Sequence, residues 1–259
     1  MLTRIDRTFK TLRKNGKKAF IPYFMAGDPS LDRTRDIVLL FEQCGADIVE
    51  LGVPFSDPLA DGPTIQRASE RALAGGTILK KVIAFVEDVR RVTQIPLILM
   101  TYFNPVFKYG VENFVDHAAR AGVDGVIIPD LPPDEADDLR HAARRANLNT
   151  IFLLAPTSTH ERIKIVSRAS GGFIYYVSIT GITGSSLLLD GSLQTSLAKI
   201  KEYTNKPVAV GFGVSTSEEA AEVARAGDGV IVGSAIIKKS LEDPGGLRDY
   251  LLGLREAIR

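Results

Sequence analysis

The chain has 259 residues, of which 45% are apolar and 24% are charged, and its formal net charge is +1. This apolar fraction is large enough for a packed core and argues against disorder. The mixed, nearly balanced charges argue against nucleic acid or an anionic membrane as a partner. The single cysteine, Cys44, excludes an intramolecular disulfide, and the absence of a signal-like segment favours a cytoplasmic location.

Short apolar runs alternate with longer amphipathic segments from the start of the sequence to its end. The runs are rich in Val and Ile and scarcely alternate with polar residues, which is typical of parallel strands buried on both faces. They cover residues 20–25, 48–52, 97–102, 125–128, 151–154, 173–177, 208–211 and 230–232. The amphipathic segments between them predict helices, so the chain should fold as an α/β protein.

Three of the predicted helices end at a glycine, and the same short pattern follows each of them. Gly45, Gly122 and Gly227 stand where a left-handed residue often ends a helix, and an Asp and an apolar strand come next. This repeated unit predicts a single-domain (β/α)8 barrel over residues 1–259, with an extra N-terminal helix and a short helix after the eighth strand. An open doubly wound sheet is the alternative, but no GxGxxG motif follows the first strand.

Glu50 is the one carboxylate inside a predicted strand, residues 48–52. Barrel enzymes carry their active sites at the C-terminal ends of the strands, which is where Glu50 lies. A buried, unpaired carboxylate is costly and usually responds with a raised pKa, which suits a general acid or base. The structural alternative is an ion pair with a neighbouring strand. The predicted strands contain no Lys or Arg, which weakens that alternative.

A proline-rich loop at 53–64 follows this strand and carries two more acids, Asp57 and Asp61. Asp61 lies close enough to Glu50 along the chain for the two carboxylates to share one pocket. Structural roles are equally compatible with the sequence at this point. Asp61 could cap the next helix, and Asp57 could form a turn with its own backbone.

Glycine-rich loops at 178–186, 211–215 and 233–235 follow the last three predicted strands. Glycine lets backbone N–H groups approach a phosphate, and a helix that begins at Ser234 would point its positive end at the same place. The loops after strands seven and eight are the recurrent phosphate site of this fold. None of the three loops contains Lys or Arg, so amides would have to bind the ligand.

The remaining candidates are less specific. Tyr102 and Tyr175 end predicted strands, where their rings could line the mouth of the barrel or simply pack in the core. The three histidines lie in helical segments without the spacing of metal ligands, so no metal site is expected.

The strand-end acid and the loop after it also form a family signature. Glu50-Leu51-Gly52, followed by PFSDPLADGPTIQ at 54–66, resembles the tryptophan synthase alpha subunit family. The likeness extends to AGDP at 26–29, MTYFNP at 100–105, PDLP at 129–132, GFG at 211–213, VGSA at 232–235 and the loop at 178–184. Two departures are Met25, in place of a small or hydroxyl residue, and Ile179-Thr180, where some members have Arg-Ala.

The resemblance implies a lyase that cleaves indole-3-glycerol phosphate into indole and glyceraldehyde 3-phosphate by a retro-aldol reaction. Glu50 would carry the proton in both steps, and Asp61 would stabilise positive charge at the ring nitrogen. Substrate-binding roles are implied for Tyr102, Tyr175, Thr183, Gly184, Phe212, Gly213, Gly233 and Ser234.

The resemblance also implies a partner, the tryptophan synthase beta subunit, in an α2β2 heterotetramer that completes L-tryptophan biosynthesis. Pyridoxal phosphate would belong to that partner, with no cofactor in this chain. The expected interface residues are Pro54, Asp57, Asn104 and Pro132, on loops at the mouth of the barrel. Two rival classes are another phosphosugar barrel enzyme and a non-catalytic allosteric subunit. The first would not need Asp61, and the second would be expected to lose a carboxylate.

Overall fold

Parallel strands form the centre of the molecule in the computed structural model, which describes residues 2–177, 191–211 and 213–259. The strands are β1 (Ala19–Met25), β2 (Val49–Gly52), β3 (Leu97–Met100), β4 (Gly125–Ile127), β5 (Asn149–Ile151), β6 (Leu153–Leu154), β7 (Ile174–Val177), β8 (Val208–Gly211) and β9 (Gly229–Val232). The helices in this part of the chain are α1 (Arg4–Lys14), α2 (Leu31–Gln43), α3 (Pro63–Ala74), α4 (Leu79–Val89), α5 (Phe103–Tyr109), α6 (Val111–Ala121), α7 (Asp137–Arg145), α8 (His160–Ala169), α9 (Ser192–Lys201), α10 (Ser217–Ala226), α11 (Ser234–Glu242) and α12 (Leu247–Ala257).

The strands close into a barrel. They follow the order β5-β4-β3-β2-β1-β9-β8-β7-β6, and every pairing is parallel. The two edge strands, β5 and β6, are separated only by Phe152, so the chain itself joins the two ends of the sheet. The predicted (β/α)8 barrel is therefore confirmed.

Two strand predictions need correction. The run at 151–154 was expected to be one strand, but it divides into β5 and β6, because the Phe152 N–H takes the Ser170 hydroxyl as its partner at 3.4 Å. The run at 97–102 ends as a strand at Met100, and Tyr102 instead precedes α5 as its N-cap.

Helix α1 closes the N-terminal end of the barrel, as the predicted extra helix. It begins with a reciprocal capping box between Thr3 and Asp6, an arrangement worth about 1 kcal/mol. Its apolar face carries Ile5, Phe9 and Leu12, which pack on the inward residues of the strands. Burying each such side chain contributes about 1.5–3 kcal/mol, so this helix is part of the core.

A buried aspartate, Asp124, joins α1 to the strands above it. Its carboxylate accepts hydrogen bonds from Arg4 at 3.0 Å, from Arg90 at 2.6 Å and from the Leu97 backbone at 2.9 Å. Asp124 is 5% exposed, and these three donors satisfy a carboxyl group that burial would otherwise leave unpartnered.

Two of the three helix-ending glycines have the predicted left-handed backbone. Gly45 has φ +84° and Gly122 has φ +94°. The prediction is wrong for Gly227, which is extended with φ −96°. Close packing accounts for glycine there, because a Cβ would lie 3.0 Å from the Val210 side chain.

After β9 the chain forms α11 before the last outer helix, α12, so the predicted extra helix at Ser234 is present. None of the helices described is long and apolar enough to cross a membrane.

Candidate active site

Glu50 lies inside the barrel on β2 and is completely buried. Neither oxygen of its carboxyl group has a hydrogen-bond partner among the described residues. The alternative of an ion pair with a neighbouring strand is therefore wrong, since Glu50 pairs in register with Tyr23 of β1 and Ile98 of β3. Burial, and then the charge of Asp61, raise the pKa of Glu50 to about 8.

Asp61 reaches the same region from the loop after β2. Its backbone is held on both sides, because its N–H donates to Pro58 and its carbonyl accepts from the Gln66 side chain at 2.8 Å. Helix α3 begins two residues later, at Pro63, with Gly62 as its N-cap and no side-chain cap. The capping alternative for Asp61 is therefore wrong, and its carboxylate is available to the site.

Tyr102 braces the Asp61 loop. Its hydroxyl accepts the Ala60 N–H at 3.0 Å and donates to the Asp61 carboxylate. Its ring packs on Phe55, with 5.4 Å between the ring centroids, so one side chain ties the end of β3 to the loop after β2. Burial raises the pKa of Asp61 to about 6, although the Tyr102 hydrogen bond opposes the change.

The two carboxyl groups therefore differ in charge near neutrality. With a pKa of about 8, Glu50 is largely protonated at pH 7, whereas Asp61, with a pKa of about 6, is largely ionised. A pair of carboxyl groups in separate protonation states is the arrangement that acid–base chemistry needs. The pocket therefore holds one neutral and one ionised carboxyl group, close enough for the charge of Asp61 to act on Glu50.

Two more tyrosines face the carboxyl groups from inside the barrel. Tyr175 of β7 was predicted here, and its hydroxyl covers Gly211, where a Cβ would overlap it. Tyr23 of β1 was not predicted as a site residue. Burial and the nearby carboxylates raise the pKa of both phenols, so their hydroxyls remain neutral hydrogen-bond donors.

Tyr23 links the carboxylate side of the pocket to the phosphate loops. Its hydroxyl covers Gly52, two residues after Glu50, and a Cβ there would overlap it. Its ring also lies against Gly233, where a Cβ would be 3.2 Å from the Tyr23 Cδ1 atom. One phenol ring therefore spans from β2 to the start of α11. In the sequence, the one signal for an inward position is that Tyr23 follows Ala19 and Ile21 at intervals of two residues, which places all three on one face of the strand.

The predicted phosphate residues in the described part lie at the ends of the last two strands. Gly213 follows β8 and has open space around its Cα, while Gly233 is the N-cap of α11. No side chain caps α11, so the first N–H groups from Ser234 onwards point out of the helix without a side-chain acceptor. Such amides can bind an anion. Thr183, Gly184 and Phe212 lie outside the described residues.

Three of the four predicted interface residues line a cavity beside the candidate active site. Pro54, Asp57 and Asn104 line a cavity of about 450 Å³, whereas Pro132 does not line it. Asp57 and Asn104 are exposed, but Pro54 is buried. Large apolar side chains are exposed close by in sequence: Leu59 is 91% exposed and Phe107 68%.

The described residues contain no cluster of three or more His, Cys, Asp or Glu side chains that could hold a metal ion.

Comparison with known proteins places this geometry in a family. The profile of the family described as tryptophan synthase alpha chain matches residues 9–250. The tryptophan synthase alpha chain of Geotalea daltonii is 52% identical over 236 residues, covering 91% of this chain and 89% of its own length. That of Geotalea uraniireducens is 50% identical over 259 residues, covering 100% and 97%.

Solved structures agree. Tryptophan synthase subunit alpha from Legionella pneumophila superposes with a TM-score of 0.93 at 39% identity, over 100% of this chain and 99% of that chain. A chain of Mycobacterium tuberculosis tryptophan synthase gives a TM-score of 0.93 at 38% identity, with the same coverage. The full-length match in sequence and in fold shows that this chain belongs to the tryptophan synthase alpha chain family.

Proposed function

We propose that this chain cleaves indole-3-glycerol phosphate to indole and glyceraldehyde 3-phosphate, with Glu50 as the proton carrier and Asp61 as the fixed anion. Family membership makes it a carbon–carbon lyase of tryptophan biosynthesis. The observation that carries the residue assignment is the completely buried, unpartnered carboxyl of Glu50 beside Asp61, with pKa values of about 8 and about 6.

In the first step, protonated Glu50 donates its proton to C3 of the indole ring. The ring becomes an indolenine with positive charge at nitrogen, which makes it an acceptor for the electrons of the bond to be broken. The ionised Asp61 stabilises this charge, and its partial burial strengthens the interaction.

In the second step, the Glu50 carboxylate removes the proton from the glycerol hydroxyl beside the bond. The oxygen forms a carbonyl, the carbon–carbon bond breaks, and its electron pair neutralises the indolenine. Glu50 ends protonated, as it began, so no water or other reactant is consumed. One carboxyl group can serve both steps only if its pKa lies near the working pH, as the pKa of about 8 for Glu50 does.

Substrate orientation would come from the two ends of the pocket. Amides at Gly213, Gly233 and Ser234, with Gly184 from the neighbouring loop, would bind the phosphate. Tyr102, Tyr175, Thr183 and Phe212 would surround the indole and the reacting carbons. Tyr23 contacts both Gly52 and Gly233, so the Glu50 side of the pocket and the phosphate amides would lie on either side of one phenol ring.

The family implies a beta-subunit partner, and we propose that it docks on the mouth of the barrel in an α2β2 assembly. The cavity lined by Pro54, Asp57 and Asn104, with exposed Leu59 and Phe107 nearby, supports this surface. Pro132 would lie at its edge. Pyridoxal phosphate would be held by the partner, which would receive the indole. We also propose that residues 1–259 act as one catalytic domain in the cytoplasm.

The test is an assay of indole release from indole-3-glycerol phosphate, with and without a beta subunit. Release by the chain alone, increased by the partner, is the expected result. No release in either condition would contradict the proposal and favour a non-catalytic regulatory subunit. Release from other phosphosugars at an equal rate would favour a different barrel enzyme.

A further inference from the structure

A cleft of about 790 Å³ opens at the base of the barrel, at the opposite end from Glu50. Helix α1, the turn after it and the loop after α9 form its walls, so segments far apart in sequence converge on it. The volume lies in the range of small-molecule sites, about 300–1,000 Å³. The active site proposed above uses no residue of this cleft.

The cleft carries more positive charge than the net charge of the whole chain would suggest. Six of its residues are cationic and two are acidic, so its net charge is +4, whereas the whole chain carries only +1. The six cationic residues are Lys10, Arg13, Lys14, Lys17, Lys18 and Lys201. The remainder of the molecule must therefore be slightly acidic.

The acids of the cleft are already engaged, whereas most of the cations are not. Asp6 accepts the Thr3 N–H in the capping box, and Asp228 pairs with Lys201. Lys18 donates to the Gly227 carbonyl at 2.7 Å. The other four cations, Lys10, Arg13, Lys14 and Lys17, are exposed and have no hydrogen bond or salt bridge to any described residue.

The floor of the cleft is apolar. Phe9 and Leu12 of α1 border it from the core side, where only their edges are exposed (6% and 7%), and the half-buried Pro207 lines it from the loop before β8. Four unpaired cations around an apolar floor match a ligand with several negative charges and a flat apolar part. Basic residues in the last turn of α1 also suit its helix dipole, but that role does not require the cleft or its apolar floor.

We propose that this cleft, which is separate from the active site, binds a nucleoside polyphosphate, with the phosphates on Lys10, Arg13, Lys14 and Lys17 and the base against Pro207 and the exposed edges of Phe9 and Leu12. The positive charge and the volume of the cleft together favour one small ligand of this class over a nucleic acid, because a long phosphate backbone would extend beyond the cleft.

Calorimetric titration of the full chain with ATP, without added metal ions, tests the proposal at two salt concentrations. Inorganic triphosphate and adenosine separate the two parts of the ligand. We expect ATP to bind more tightly than either, to weaken as salt rises, and to remain bound when glyceraldehyde 3-phosphate fills the active site. Equal affinity for triphosphate would overturn the nucleoside assignment. No binding, or displacement by glyceraldehyde 3-phosphate, would overturn the site.

Two charge-reversal variants locate the binding. Lys10→Glu with Lys14→Glu should reduce ATP affinity at least ~10-fold, because two attractive charges become repulsive. Lys81→Glu with Lys199→Glu is the matched control, since both lysines are exposed and lie outside the cleft. Equal losses in the two variants would contradict the proposal. Lys10→Ala with Lys17→Ala, checked by circular dichroism, gives the same test if charge reversal disturbs α1.

Discussion

Tyr23 is the direct neighbour of Glu50 across the first two strands of the barrel, and its ring also lies against Gly233. The contacts place the Tyr23 hydroxyl beside Gly52, two residues after Glu50, and the base of its ring against the start of α11. Substrate spanning these two points would pass beside this hydroxyl. Tyr23 is therefore well placed to hydrogen-bond the glycerol part of the substrate.

Tyr23→Phe keeps the ring and removes only the hydroxyl. We expect kcat/KM to fall about 3- to 10-fold, the effect of one hydrogen bond worth about 0.5–1.5 kcal/mol, while stability changes little. Tyr176→Phe is the control, because Tyr176 belongs to the outward-facing core and bonds to Ser196. Steady-state kinetics measure kcat/KM of both variants. Equal kcat/KM values for Tyr23→Phe and Tyr176→Phe would exclude a role for the Tyr23 hydroxyl in the reaction.

The pKa values of the two carboxyl groups predict a bell-shaped pH dependence. Activity should fall below a pH of about 6, where Asp61 becomes protonated, and above about 8, where Glu50 loses its proton. Glu50→Gln should lower kcat at least ~100-fold at every pH. A variant that retained most of the activity would show that another group carries the proton.

The same burial affects stability. The folded chain keeps the Glu50 proton up to a pH of about 8, whereas the unfolded chain releases it near 4.5. Between these values the unfolded state binds fewer protons, so Glu50 makes the free energy of unfolding decrease as pH rises, by up to ~1.4 kcal/mol per pH unit. Glu50→Gln should remove this slope. Urea unfolding at pH 5, 6.5 and 8 measures it, and parallel slopes in the two proteins would contradict the raised pKa.

Asp61→Asn removes the negative charge of the Asp61 side chain and keeps its shape, so it tests whether that charge is needed for the reaction. Asn can still accept the Tyr102 hydrogen bond, so stability should change by less than about 0.5 kcal/mol. Activity should fall at least ~100-fold, because the developing charge on the indole nitrogen loses its anion. Asp36→Asn, at an exposed position on α2, serves as the control. Loss of stability with normal activity would mean that Asp61 is structural.

Partner docking is tested at Asp57. Among the described residues this exposed side chain bonds only to Ser56, so Asp57→Ala should leave the fold unchanged. We expect the beta subunit to raise the rate of the original chain at least ~10-fold, which corresponds to about 1.4 kcal/mol of the barrier. Asp57→Ala should lower this activation more than it lowers the rate of the chain alone. Unchanged activation would remove Asp57 from the interface.

Some of the site was predictable because the signal was local. Glu50 interrupts an apolar strand, and a glycine-rich loop before a helix is visible in the sequence. Tyr23 gave no such signal, because an aromatic residue in an apolar strand is equally compatible with core packing. Its role depends on the register between β1 and β2 and on contacts with two glycines.

Other features depend on where the chain turns or closes. Asp61 was a possible N-cap from the sequence, but Gly62, one residue later, is the N-cap of α3, which leaves the Asp61 carboxylate free of a capping role. The basic cleft was hidden for a related reason. Composition averages charge over the chain, whereas α1 and the loop after α9 meet only in the folded barrel.

Helix α1 packs on the inner residues of the strands and so closes one end of the barrel, in the part of the chain that the structure describes. Ile5 and Phe9 fill this closed end, and the ring centroids of Phe9 and Phe173 lie 5.5 Å apart. Substrate and both products must then cross the same rim. A beta subunit docked on that rim, as proposed above, would control admission and departure together, so indole could leave only towards that subunit.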